Sequence, residues 1–133
     1  MPRKRIQRKL LDPPLFEGYR PYGVSHRQKE FVELLFDEYE AIKLADYQYL
    51  SHEEAGRLME VSRATFARIY ESARRKLAKA MVETREIKTV RGNASFEKEW
   101  YRCHDCHSRF TSEEFLQQPN CPKCASEATK PLS

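Results

Sequence analysis

The sequence predicts a mainly α protein, a helix-turn-helix bundle followed by a small β zinc ribbon. Three observations carry that expectation. Helix-start signals recur at short intervals between residues 37 and 62, an apolar run at helical spacing extends from Phe66 to Met81, and four cysteines occupy the last third of the chain in two C-x-x-C pairs. The expected parts are a basic, Pro-rich N-terminal arm over 1–27, a helix-turn-helix domain over 28–91 and a four-cysteine zinc ribbon over 92–133.

A chain of 133 residues makes one ordinary domain or two very small ones, which leaves little room for a large enclosed active site. No stretch approaches about 18 apolar residues, so no membrane contact is expected. The basic start from Met1 to Leu11 lacks an apolar export core, which makes the cytoplasm the expected location. The formal charge of +4 is mild, but its distribution is uneven. Arg3, Lys4, Arg5, Arg8 and Lys9 stand together without an acid, as in an arm able to lie along a phosphate backbone. Acids outnumber bases over 27–60, and the sign reverses over 63–91.

Pro13, Pro14, Gly18, Pro21 and Gly23 forbid a continuous helix in the lead-in, where no regular element is expected. Asp37 with Glu40 reads as a capping box opening a first helix to about Asp46, and Ser51 with Glu54 repeats it for a short second helix ending near Glu60. Ser62 caps the third helix. At 100° per residue, Ile69, Tyr70, Ala73, Leu77, Ala80 and Met81 fall within about 60° of Phe66 and form a core face. Ala64, Arg68, Ser72, Arg75 and Lys79 make the opposite, outward stripe. Two helices joined by a short turn, the second longer and basic, have the form of a helix-turn-helix, and a plain three-helix bundle with a solvated basic face is the alternative.

The run from Val61-Ser62-Arg63 to Ala73-Arg74-Arg75-Lys76-Leu77 resembles the recognition helix of bacterial sigma factor region four. Phe36-Asp37-Glu38-Tyr39-Glu40-Ala41-Ile42-Lys43-Leu44-Ala45-Asp46, Ser51-His52-Glu53-Glu54-Ala55 and the segment from Ser62 to Ala78 more closely resemble a small prokaryotic predicted DNA-binding family catalogued as domain of unknown function 134, over roughly residues 3–92. The resemblance implies DNA binding and transcription control without enzymatic activity. It places Arg63, Ala64, Thr65, Ala67 and Arg68 nearest the groove, with Ala64 where sigma factors carry an acidic base-reading residue. Arg68 suits bidentate contact to guanine, Thr65 a thymine methyl or a phosphate, and Arg63 a phosphate. Arg75 and Lys79, further along, serve phosphate contact or solubility.

Cys103-x-x-Cys106 and Cys121-x-x-Cys124, fourteen residues apart, have the spacing of one structural Zn²⁺ site. Trp100-Tyr101-Arg102 and Arg109-Phe110 are strand-prone flanks. Disulfides, free thiols, iron, or His104 and His107 as replacement ligands are the alternatives, and His52 reads as a surface residue. The mixed charge of the tail favours protein contact or capping over phosphate binding.

The expected function is a sequence-selective duplex-DNA-binding protein, a transcriptional regulator acting as a homodimer, because one helix-turn-helix covers few base pairs. The second expectation is an adaptor docking on RNA polymerase or another regulator through its helices and ribbon. No enzyme is expected, since a closed four-cysteine site leaves no position for substrate water.

Overall fold

Two short segments separated by all three helices, Val32–Leu35 (β3) and Ile87–Val90 (β4), pair in parallel and frame the first part of the molecule. The computed structural model describes residues 7–24, 30–112 and 119–132. The chain divides into two compact units, Met1–Ser95 and Phe96–Ser133. In the first, Val32 and Leu34 face the core while Glu33 faces out, the alternation of a strand covered on one side. Gly18–Tyr19 (β2) adds an antiparallel strand on the other edge of β4, in the order β2-β4-β3. A side chain at Gly18 would put its Cβ 2.1 Å from the Ile87 carbonyl, so only glycine permits that pairing. Arg8–Lys9 (β1) pairs in parallel with Ala94–Ser95 (β5), closing the unit with its first and last described segments.

The chain leaves β3 directly into α1 (Phe36–Ile42), which continues as a π-helical turn over Lys43–Tyr47. The Glu38 carboxylate accepts the Leu35 N–H at 2.8 Å, so Leu35 is the N-cap and the expected Asp37–Glu40 box does not form. Asp37 and Glu40 are buried instead. α2 (His52–Leu58) starts as expected, with Ser51 Oγ accepting the Glu54 N–H at 3.2 Å. It closes in a Schellman turn in which Val61 N–H donates to Gly56 O and Glu60 N–H to Arg57 O, with Glu60 at φ 56°. α3 (Arg63–Val82) follows, its Ser62 Oγ accepting the Thr65 N–H at 3.1 Å. Phe66, Ile69, Ala73 and Ala80 are buried, and α3 packs on α1, α2 and β3. Tyr70 and Leu77 are half-buried, and Met81, expected in the core, is 81% exposed because Ala80 alone of the last turn is covered.

The mainly α helix-turn-helix bundle is therefore overturned. Eight strands in three small sheets accompany three helices among the described residues, and the helices lean on a sheet. Helical periodicity reports a covered face without saying what covers it, and strands of two to four residues paired across the whole helical segment leave no periodic trace. The lead-in also supplies β2, where no regular element was expected.

In the second unit, Trp100–Cys103 (β6) lies between Arg109–Thr111 (β7) and Thr129–Pro131 (β8), antiparallel to both. Tyr101, Phe110, Cys103 and Cys121 form its core. No helix among the described residues is long and apolar enough to cross a membrane.

Candidate functional site

Two turns of the second unit have the same construction. Cys103-His104-Asp105-Cys106-His107-Ser108 and Cys121-Pro122-Lys123-Cys124-Ala125-Ser126 each reverse the chain by two backbone bonds: His107 N–H to Cys103 O and Cys103 N–H to Ser108 O, then Ala125 N–H to Cys121 O and Cys121 N–H to Ser126 O, all 2.9–3.0 Å. The fifth residue of each turn is left-handed, His107 at φ 62° and Ala125 at φ 61°. A residue there carries steric strain that glycine would not.

The two turns bring the sulfurs of Cys103, Cys106, Cys121 and Cys124 within 4.8 Å of one another, and no disulfide joins them. Cys103 Sγ lies 3.6 Å from Cys124 Sγ, and Cys106 Sγ 3.5 Å from Cys121 Sγ. A tetrahedral ion with metal–sulfur bonds of about 2.3 Å has sulfur–sulfur edges of about 3.8 Å, so the four thiols are placed to hold one metal ion. Hydrogen bonding with the side chain and backbone of Ser108 pulls the Cys106 thiol down to about 6. The Ser126 backbone acts to lower Cys124, but desolvation and the facing sulfurs together push it up to about 12. Neighbouring sulfurs resist carrying four negative charges together, which a cation at their centre relieves. Neither histidine joins the cluster. His104 is exposed, and His107 Nδ1 lies 3.0 Å from an Arg102 guanidinium nitrogen.

In the first unit, the outward face of α3 carries the other expected residues. Arg63, Ala64, Arg68, Arg75 and Lys79 are exposed, and Thr65 and Ala67 are partly covered. Thr65 Oγ1 accepts from Ser62 Oγ at 3.0 Å, so its hydroxyl is engaged in the cap. Arg75 is held by Glu71 at 3.0 Å, whereas Arg63, Arg68 and Lys79 have no ion-pair partner among the described residues. A shallow groove runs along this face between Arg68 and Lys79. Ser72, expected on the outward stripe, instead donates to Glu38 Oε2 at 2.5 Å, and Lys76 reaches Glu38 Oε1 at 2.7 Å. One buried carboxylate of α1 thus fixes α3 at two points one turn apart, a role that composition does not reveal.

Aromatic contacts set α2 against α3. His52 is not a bare surface residue, since its ring lies 5.2 Å from both Phe66 and Tyr70. The Tyr70 hydroxyl donates to Asp46 at 2.5 Å, and Arg74 sits over the Tyr70 ring at 5.4 Å. Arg3, Lys4 and Arg5 lie outside the described residues. Arg8 and Lys9 are drawn toward Asp37 and Glu60, and Lys9 N–H donates to Met59 O, which anchors β1 beside the α2–α3 turn.

A family model described as "Protein of unknown function DUF134" matches residues 1–97. The chain is 41% identical over 127 residues to a "UPF0251 protein" of Chloroherpeton thalassium, covering 96% of this chain and 84% of that one. It is 37% identical over 134 residues to a "UPF0251 protein" of Desulfosudis oleivorans, covering 98% and 97%. With "UPF0251 protein CT1277" of Chlorobaculum tepidum the identity is 35% over 130 residues, 96% of this chain and 66% of that one, so this chain spans about two thirds of the relative's length. No solved structure matches.

Proposed function

We propose that this chain, which belongs to the DUF134 family, is a sequence-selective duplex-DNA-binding protein and transcriptional regulator of the cytoplasm. The observation that carries the reading is the outward face of α3, where Arg63, Arg68 and Lys79 project without ion-pair partners from a capped helix of 20 residues. Such a helix is about 30 Å long and fits the major groove. With α2 and α3 acting as a helix-turn-helix, Arg68 reads guanine, Ala64, Ala67 and the Thr65 methyl lie against base edges, and Arg63 meets a phosphate at the helix start. Lys79, with Arg75 once released from Glu71, follows the backbone, and Arg3, Lys4 and Arg5 add contacts from the arm. A second copy supplies the other half-site.

Zn²⁺ is the metal we assign to Cys103, Cys106, Cys121 and Cys124. Four thiolates at tetrahedral spacing match its preference and leave no coordination position open for catalysis. Bound there, the ion supplies folding energy to a unit too small to gain enough from apolar burial. One zinc per chain by elemental analysis checks this, and a chain that retains none when purified under reducing conditions would refute it.

Selection from random duplexes tests the DNA reading. On the enriched sequence, Arg68→Ala should lose about 1–3 kcal/mol and on random DNA almost nothing, while Arg75→Ala weakens both alike. Equal losses on both DNAs for the two variants would remove Arg68 from base reading. Failure of the wild-type chain to stay on any duplex at physiological salt would transfer the helices to the adaptor role on RNA polymerase or another regulator.

A further inference from the structure

α3 is about 30 Å long and α2 only about 10 Å, so α2 covers no more than the first turns of its neighbour. The ring contacts of His52 with Phe66 and Tyr70 mark that stretch. On the other flank α1 holds α3 through Ser72 and Lys76. Beyond Tyr70 the flank facing α2 is open among the described residues. With Phe66 at zero and 100° per residue, Arg74, Ala78, Met81 and Val82 fall between about 60° and about 160°, and all four are exposed. Met81 and Val82 are each 81% exposed, and Leu77 at the inner edge of the stripe is half-buried. A spacing of four residues and then three is that of a seam between two packed helices.

We propose that this stripe is the contact between two copies of the chain, made by antiparallel crossing of their α3 helices about a two-fold axis at Ala78. Ala78 is the midpoint of the stretch from Arg74 to Val82, and its small side chain lets the helix axes approach to about 8 Å. A two-fold contact sets residue i against j and j against i, so Val82 of each copy faces Arg74 of the other. The Arg74 stem packs over Val82 and Met81, while its guanidinium reaches the carbonyl end of the facing α3, the negative pole of that helix. Arg74 has no ion-pair partner among the described residues, and Glu83, the C-cap, adds its charge to that pole.

The choice of a second copy rests on the reading of α3 as a duplex reader. Arg68, Arg75 and Lys79 lie at about 180° to 220°, roughly a quarter turn round the helix from the stripe. In a two-fold pair of antiparallel helices, the face a quarter turn from the contact points along the axis in both copies. Both cationic faces therefore meet one side of one duplex. Arg68 is ten residues from Ala78, about 15 Å along the helix, so the two Arg68 side chains stand about 30 Å apart. Half-sites one helical turn apart are separated by about 34 Å. A different protein could cover the stripe but would not reproduce this distance. A single helix pair buries less than the about 1,200 Å² of a stable interface, so the copies pair on the duplex and separate in dilute solution.

The full zinc-loaded chain is titrated onto its selected duplex, carrying two inverted half-sites one turn apart. The second copy should bind about 10-fold more tightly than the first, and inserting about 5 bp between the half-sites should remove that factor. Met81→Ser with Val82→Ser, both at exposed positions, should remove the same factor and leave the affinity for a single half-site unchanged. In concentrated solution without DNA, Ala78→Cys should give a disulfide-linked dimer under an oxidant that leaves the wild-type chain uncross-linked, because the axis brings the two sulfurs together. Arg57→Cys, exposed on α2, should not. No cross-link in Ala78→Cys, an equal cross-link in Arg57→Cys, or a second copy that binds no better than the first would each overturn the proposal and leave the stripe to a different protein. Cross-linking in a chain that binds no duplex supports this contact while removing the reading of α3. Duplex binding by single copies without cross-linking does the reverse, so the two failures are distinguishable.

Discussion

Ala125 shows how the cysteine turns are built at the expense of local comfort. Its φ of 61° belongs to the left-handed region, and its neighbours are fixed by the bonds that aim Cys121 and Cys124. Ala125→Gly should therefore stabilise the second unit by about 0.5–1 kcal/mol, read as a higher chelator concentration at half-release of the metal. A lower concentration would show that the strain is absent. Glu40 presents the opposite case, a carboxyl whose pKa is raised first by burial, with Lys43 offsetting part of the rise. Folded Glu40 keeps its proton to higher pH than the unfolded chain, whose value is near 4.5, so folding takes up a proton. Its contribution is fully present below the unfolded value and is lost as pH rises through the folded one. Glu40→Gln should accordingly lose less stability than wild type as pH rises above about 4.5 in urea unfolding, and identical slopes would deny the shift.

At the scale of the elements, α1 and α3 are joined by Glu38, whose carboxylate takes the Leu35 N–H, the Ser72 hydroxyl and the Lys76 ammonium. Glu38→Ala strands three donors around a nearly buried position and should cost about 2–3 kcal/mol. Glu71→Ala, which breaks only the exposed pair with Arg75, should cost less than about 1 kcal/mol. Equal losses would reduce Glu38 to a surface charge. Local chemistry made α2 and α3 legible, because Ser51 and Ser62 cap helices through neighbours three residues away. The start of α1 was misread for a tertiary reason. Asp37 and Glu40 have the spacing of a cap, but β3 runs straight into the helix and burial draws both acids into the core.

On the scale of the whole molecule, the division at Ser95 and Phe96 separates two sources of stability. The first unit has capped helices and an apolar interior containing Phe36, Met59 and Phe66, whereas the second gathers four sulfurs and a few rings. A strong chelator, or Cys121→Ser with Cys124→Ser, should open the second unit to protease while a fragment spanning the first survives with its helical signal intact. Cooperative loss of helix on chelation would show that the two units do not fold separately. The sequence by itself determined the cysteine cluster, the flanking strands β6 and β7, the two serine caps and the cationic stripe of α3, because each follows from spacing within one short segment. Only the tertiary structure decided that β3 and β4 pair beneath the helices, that Glu38 takes Ser72 from the outward stripe and also holds Lys76, and that Arg102, Arg109 and Lys130 lie opposite one another across three strands. Each of these depends on register between segments far apart in the chain, and register is settled by which faces can be buried together rather than by any local pattern.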